Sequence, residues 1–133
     1  MLVSRRMSRF LWICLGGAVG TGARYLVSTW ALTLLGPAFP WGTLAVNAIG
    51  SFLLGALMHV GLSTDLLSPA LRLALSTGVI GGFTTYSTFN YETLQYVSDG
   101  ALGLAALNVS ATFVLCLAAG LLGLAAARVL VGG

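Results

Sequence analysis

Four long apolar runs, at about residues 10–35, 42–62, 70–96 and 101–131, account for nearly all of the chain. Each is long enough for a helix to cross a hydrocarbon core of about 30 Å, which takes about 20 residues. The runs are continuous and do not alternate apolar with polar positions, as the strands of a membrane barrel would. The pattern therefore predicts an all-α membrane protein with four transmembrane helices, a single integral domain over residues 1–133. Arg5, Arg6 and Arg9 precede the first run. That run outlasts the roughly 7–15 apolar residues of a secretory signal, so it reads as a span with a basic topology anchor before it. The connections carry turn chemistry. Gly36-Pro37-Ala38-Phe39-Pro40 ends at Trp41, the segment 61–69 ends at a Ser68-Pro69 helix start, and Asp99-Gly100 separates the last two runs.

The third run is interrupted. Residues 78–92, GVIGGFTTYSTFNYE, hold a glycine pair (Gly81, Gly82), four hydroxyls (Thr84, Thr85, Ser87, Thr88) and two aromatics, Tyr86 and Phe89, at i, i+3. Irregular backbone at membrane depth is tolerated only where protein buries it or a wet cavity receives it, because hydrocarbon satisfies no freed N–H or C=O. The third helix is therefore expected to break near its middle, with a site at the break. Freed carbonyls there suit a cation, while half-helix N-termini, hydroxyls and the positive edges of aromatic rings suit an anion.

Polar positions on the neighbouring spans fall in register. Thr43, Asn47 and Ser51 lie one turn apart on the second span, and Asn108, Thr112 and Cys116 do so on the fourth. Such groups serve either as hydrogen bonds between helices or, for the Asn47 amide, as N–H donors to a desolvated ion. Gly16 and Gly20 are spaced as small-xxx-small, which fits packing within the subunit as well as dimerisation. Arg24, inside the first span, costs at least about 2.5 kcal/mol to insert, and is expected either to face a cavity or partner or to snorkel. Asp65 and Arg72 in the second connection read as solvated, and His59 as an interfacial residue without a role.

Composition narrows the function. The chain is 58% hydrophobic and only 7% charged, which excludes a soluble domain. Its net charge of +3 arises from six scattered arginines against three acids, without the basic stripe and interleaved aromatics of a nucleic-acid surface. Cys14 and Cys116 lack metal-ligand or redox spacing and read as small apolar thiols. No acid lies near the middle of a span, so proton coupling lacks an obvious carboxylate and passive conduction is the simpler mechanism. One histidine and no base paired with a nucleophile argue against an enzyme.

Three segments, GGAVGTGARY (16–25), WGTLAVNAIGSFLLG (41–55) and GVIGGFTTYSTFNYE (78–92), resemble the small four-span fluoride channels of the Fluc or CrcB family. The resemblance covers essentially the whole chain and implies an antiparallel, dual-topology dimer with two fluoride pores along the subunit interface. It implies a passive, fluoride-selective exporter in the bacterial inner membrane, relieving fluoride toxicity. It also implies a structural sodium ion at the dimer centre, held by the Gly81 and Thr84 carbonyls of both copies. The matching pore positions are Asn47, Phe89 and Thr112, together with Tyr86, Ser87, Cys116 and Thr43 nearby. Arg24 and Glu92 match charged family positions. Tyr86 stands where the family usually has phenylalanine, and Cys116 where serine is expected.

Charge placement qualifies the dimer. Arg5, Arg6, Arg9, Arg72 and Arg128 fall on the side of both termini and the second connection, whereas the opposite connections hold no Lys or Arg. Such a bias predicts one orientation, with the termini in the cytoplasm. A heterodimer with an oppositely oriented paralogue is therefore an alternative to the homodimer. A small proton-coupled multidrug transporter shares the four-span plan, but such proteins carry a glutamate in the first span where this chain has Arg24. A purely structural subunit, whose glycines and hydroxyls only pack helices, is the third alternative.

Overall fold

A computed structural model describes residues 2–132, with side chains from residue 6 onward, so the Arg5 side chain lies outside the described residues. Among those residues the chain is helical throughout, without strands. Helix α1 spans Leu2–Leu35, α2 Trp41–Ser63 and α6 Leu102–Val131, and all three are long and apolar enough to cross a membrane. Between α2 and α6 lies a composite crossing. It runs through α3 (Pro69–Leu73), a π-helical segment (Ala74–Ile80), the short turn α4 (Gly81–Phe83), two extended residues, and α5 (Tyr86–Ser98). The plan is four crossings with the third broken, in a multi-pass membrane protein.

Local chemistry places the boundaries. Gly36 takes φ +77°, a conformation costly to a side chain, and its N–H closes α1 on the Leu32 carbonyl. The composite crossing begins where Pro69 occupies the first turn and the Ser68 hydroxyl accepts from the Leu71 N–H at 3.3 Å. Here the structure corrects the reading of Arg72 as solvated. Its guanidinium donates to the Gly61 carbonyl, and its aliphatic stem lies where a Gly61 side chain would be, tying α3 to the end of α2. Asp65 is exposed, as expected.

Backbone-to-backbone contact through glycine holds α1 to the first half of the broken crossing. A Cβ at Gly16 would lie 2.8 Å from the Ala74 carbonyl oxygen, and one at Gly20 would collide with the Val79 carbonyl. From the other side, a Cβ at Gly78 would lie 2.8 Å from the Ile13 carbonyl oxygen, and one at Gly82 would lie 2.6 Å from that of Gly17. The small-xxx-small pair Gly16 and Gly20 thus packs within the subunit. A parallel arrangement joins α2 to α6, where Gly55 meets the Gly120 carbonyl and Gly123 that of Phe52.

Little of the apolar content is buried by the chain itself. The buried apolar residues are few, among them Val46, Ile80 and Phe83, while large side chains project outward all along α1 and α6. Trp12 and Trp30 are 58% and 73% exposed. They share one stripe of α1, five turns and about 27 Å apart at 1.5 Å per residue, which matches tryptophans at the two faces of a bilayer.

Candidate functional site

The break forms because the chain leaves helical geometry for two residues. Thr84 has φ −84°, ψ 160° and Thr85 φ −153°, ψ 117°. Both the N–H and the hydroxyl of Thr84 donate back to the Ile80 carbonyl, at 3.0 and 3.1 Å, which ends the first half. The second half starts on a Thr85 cap, whose hydroxyl oxygen accepts from the Thr88 N–H at 3.3 Å. The Thr85 backbone is left without a helical partner, and Asn47 of α2 supplies one. Its Nδ2 donates to the Thr85 carbonyl at 2.9 Å, and its Oδ1 accepts from the Thr85 N–H at 2.7 Å. Gly50, less than one turn on, leaves room for the Thr84 methyl.

Beside this junction lies an open cavity of about 650 Å³. Its walls are α2, the break and α6, and it gathers Asn47, Gly81, Thr84, Tyr86, Phe89, Thr112 and Cys116. The Tyr86 and Phe89 rings lie with centroids 5.7 Å apart, tilted by 56°. Tyr86 is 76% exposed and Phe89 half-buried, and both rings line this space. Around the break, the carbonyls of Gly81 and Thr84 accept no backbone hydrogen bond, because the N–H groups of Thr85 and Thr88 are taken by Asn47 and by the Thr85 hydroxyl. Carbonyl oxygens freed in this way are groups that could hold a hard cation.

Not every residue singled out in the sequence falls here. Thr43 does not line the cavity: it is buried and donates to Oε1 of Glu92 at 2.7 Å. Ser87, the residue after Tyr86, is exposed outside the cavity lining. Arg24 is half-buried on α1, away from the lining. Glu92 is half-buried on α5, and its Oε2 is buried without a hydrogen-bond partner among the described residues. The polar track on α6 divides. Thr112 and Cys116 face the cavity, whereas Asn108, only 1% exposed, donates to the Thr93 hydroxyl at 2.9 Å and fastens α6 to α5.

Ser51 and Ser76 also line the cavity. The place of Ser51 was visible as the third member of the α2 face. Ser76 enters because the segment is π-helical, with the Gly81 N–H bonded to the Ser76 carbonyl five residues back. That geometry leaves no signature in the spacing of apolar residues. A second open cavity, of about 670 Å³, shares Ser51, Leu54, Cys116 and Leu117 with the first and continues between α2 and α6 to His59 and Ser63.

The family model described as CrcB-like protein, Camphor Resistance (CrcB), matches residues 11–124, a stretch that includes the whole cavity lining. The chain belongs to the CrcB-like family. Among curated CrcB-like relatives, one from Sorangium cellulosum is 57% identical over 129 residues, covering 96% of this chain and 100% of the relative. One from Anaeromyxobacter dehalogenans is 58% identical over 113 residues, or 85% and 90% of the two chains. A third, from Geobacter sulfurreducens, is 52% identical over 122 residues, or 92% and 98%. All three carry the name fluoride-specific ion channel FluC.

Proposed function

We propose that this CrcB-like protein is a passive, fluoride-selective channel that exports fluoride and so limits its toxicity. The observation that carries the reading is the cavity at the break, where the Asn47 amide, the Tyr86–Phe89 ring pair and Thr112 converge. Its lining holds N–H and O–H donors and aromatic rings but no carboxylate. A small desolvated anion meets favourable partial charges there, and the lining offers neither a carboxylate nor an imidazole to carry a proton. For the same reason a proton-coupled multidrug transporter is the poorer reading, since Glu92 turns toward Thr43 instead of the cavity.

The cavity is open on one side, which supports completion of the pore by a second copy packed against α2, α6 and the break. In that arrangement the Gly81 and Thr84 carbonyls of two antiparallel chains would surround a central sodium ion. The expected location is a bacterial inner membrane. A heterodimer is the second reading, favoured by the arginine bias, which sets one orientation for this sequence.

The decisive measurement uses this chain, expressed alone and reconstituted into liposomes with a potassium ionophore as the counter-ion path. Fluoride efflux with negligible chloride efflux is expected. Chloride flux equal to fluoride flux overturns the selective reading. Flux of neither ion from the chain alone, restored on adding an oppositely oriented paralogue, replaces the homodimer by the heterodimer.

A further inference from the structure

We infer that the Thr85 backbone determines which end of the Asn47 side chain meets the anion, making Thr85 a positioning residue for selectivity. The inference rests on the channel reading above. An asparagine amide has two ends of nearly equal size and opposite polarity, an acceptor oxygen and an NH₂ donor. A half-turn about the last side-chain bond exchanges them. In a fluoride path the NH₂ end is an attractive ligand, whereas the oxygen end repels the ion.

Here the amide is not free to choose. Its Oδ1 accepts from the Thr85 N–H at 2.7 Å while its Nδ2 donates to the Thr85 carbonyl at 2.9 Å. Rotating the amide would set oxygen against carbonyl oxygen and NH₂ against N–H, breaking both bonds and leaving four half-buried polar groups opposed. This paired geometry uses the hydrogen on Nδ2 that lies cis to Oδ1. The trans hydrogen, which points away from Thr85, is the one left for the cavity that Asn47 lines. Ser51, the nearest polar neighbour on the same face, does not compete for it, because its hydroxyl donates to the Asn47 backbone carbonyl at 2.7 Å. The backbone of Thr85 is available only because the third crossing is extended at this residue. The break thereby both opens the cavity and orients a donor in it.

Two experiments on the full-length protein test the inference. The first replaces Thr85 by its α-hydroxy acid, converting one amide to an ester and removing the N–H while keeping side chain and carbonyl. In liposomes, the ratio of fluoride to chloride efflux is expected to fall at least tenfold, because the ester oxygen opposes Oδ1 and leaves the Nδ2 bond to the Thr85 carbonyl alone to hold the amide's orientation. An unchanged ratio in a variant that elutes as folded protein overturns the inference.

The second experiment reads the lock without any flux. In ¹⁵N-labelled protein the two Asn47 side-chain hydrogens are expected to exchange with solvent deuterium at rates differing at least tenfold, the Thr85-bonded one being slower. Equal rates overturn the inference whether or not the chain conducts. Wild-type chain that shows the split exchange but conducts no fluoride, either alone or with an oppositely oriented paralogue, would leave the lock in place and sink the channel reading instead.

Discussion

Apart from Arg72, which ties α3 to the end of α2, the two halves of the broken crossing are attached to the bundle by opposite means. The first half, from Pro69 to Phe83, lies against α1 through glycines on both sides, with backbone touching backbone. Among the described residues, its one long-range side-chain hydrogen bond to α1 is a weak 3.5 Å contact from the Thr21 hydroxyl to the Gly82 carbonyl. The second half, Tyr86–Ser98, is tied by side chains: Glu92 to Thr43 of α2, Thr93 to Asn108 of α6, and the Tyr96 hydroxyl to the Ala38 carbonyl. Close glycine contact relies on shape and tolerates no added atom. Hydrogen-bonded attachment relies on matched groups and tolerates small changes in shape. The break sits where one regime gives way to the other.

The comparison yields a ranked series of substitutions, each read by thermal unfolding of detergent-solubilised protein. Gly20→Val should be the most damaging, because its side chain would enter the Val79 carbonyl and the backbone around Phe83. A loss of about 3 kcal/mol or more, or failure to recover folded protein, is expected on overpacking grounds. Gly22→Ala on the same helix meets nothing nearby and should be close to neutral. If both behave alike, the glycine contact is not what holds the first half. Thr43→Val comes next. It removes the partner of Glu92 Oε1 and leaves a half-buried carboxylate without hydrogen bonds among the described residues, costing about 1.5–3 kcal/mol. Tyr96→Phe deletes an exposed bond to a loop carbonyl, and at about 0.5–1 kcal/mol it should be the mildest of the destabilising changes. Were Tyr96→Phe to exceed Thr43→Val, the attachment of the second half would be centred on the loop rather than on α2.

How much of this was readable beforehand follows the same division. The four crossings and the break were legible because hydrophobic run length and a cluster of glycines and hydroxyls are local properties of the chain. Asn47 and Thr112 were legible for a related reason, since polar groups at membrane depth are few and each needs a destination, whereas Phe89 stood out as half of an aromatic pair in the interrupted stretch and as a position the family resemblance marks. Which destination each one found was not. Thr43 and Asn47 share a face of α2, yet one binds a carboxylate of α5 and the other the backbone at the break. Asn108 and Thr112 share a face of α6, yet only Thr112 reaches the cavity. Helical period fixes direction around an axis, but not which neighbour waits at each height. Arg72 was misjudged on similar grounds, because its partner is a helix-end carbonyl and carbonyls are invisible in a residue pattern. The π-helical stretch was illegible altogether, since nothing in the residues Ala74–Ile80 signals a hydrogen bond reaching five residues back.

The paired contact between Asn47 and Thr85 amounts to a single rung of β-ladder inside an otherwise helical membrane protein. Thr85 has strand dihedrals, and a side-chain amide presents the same alternation of donor and acceptor as a neighbouring strand. A real second strand would need further residues of extended chain at membrane depth, each with its own groups to satisfy. By using a side chain as the neighbour, the fold obtains one rung and no sheet edge. The junction can therefore be extended without offering a sheet edge for strand addition.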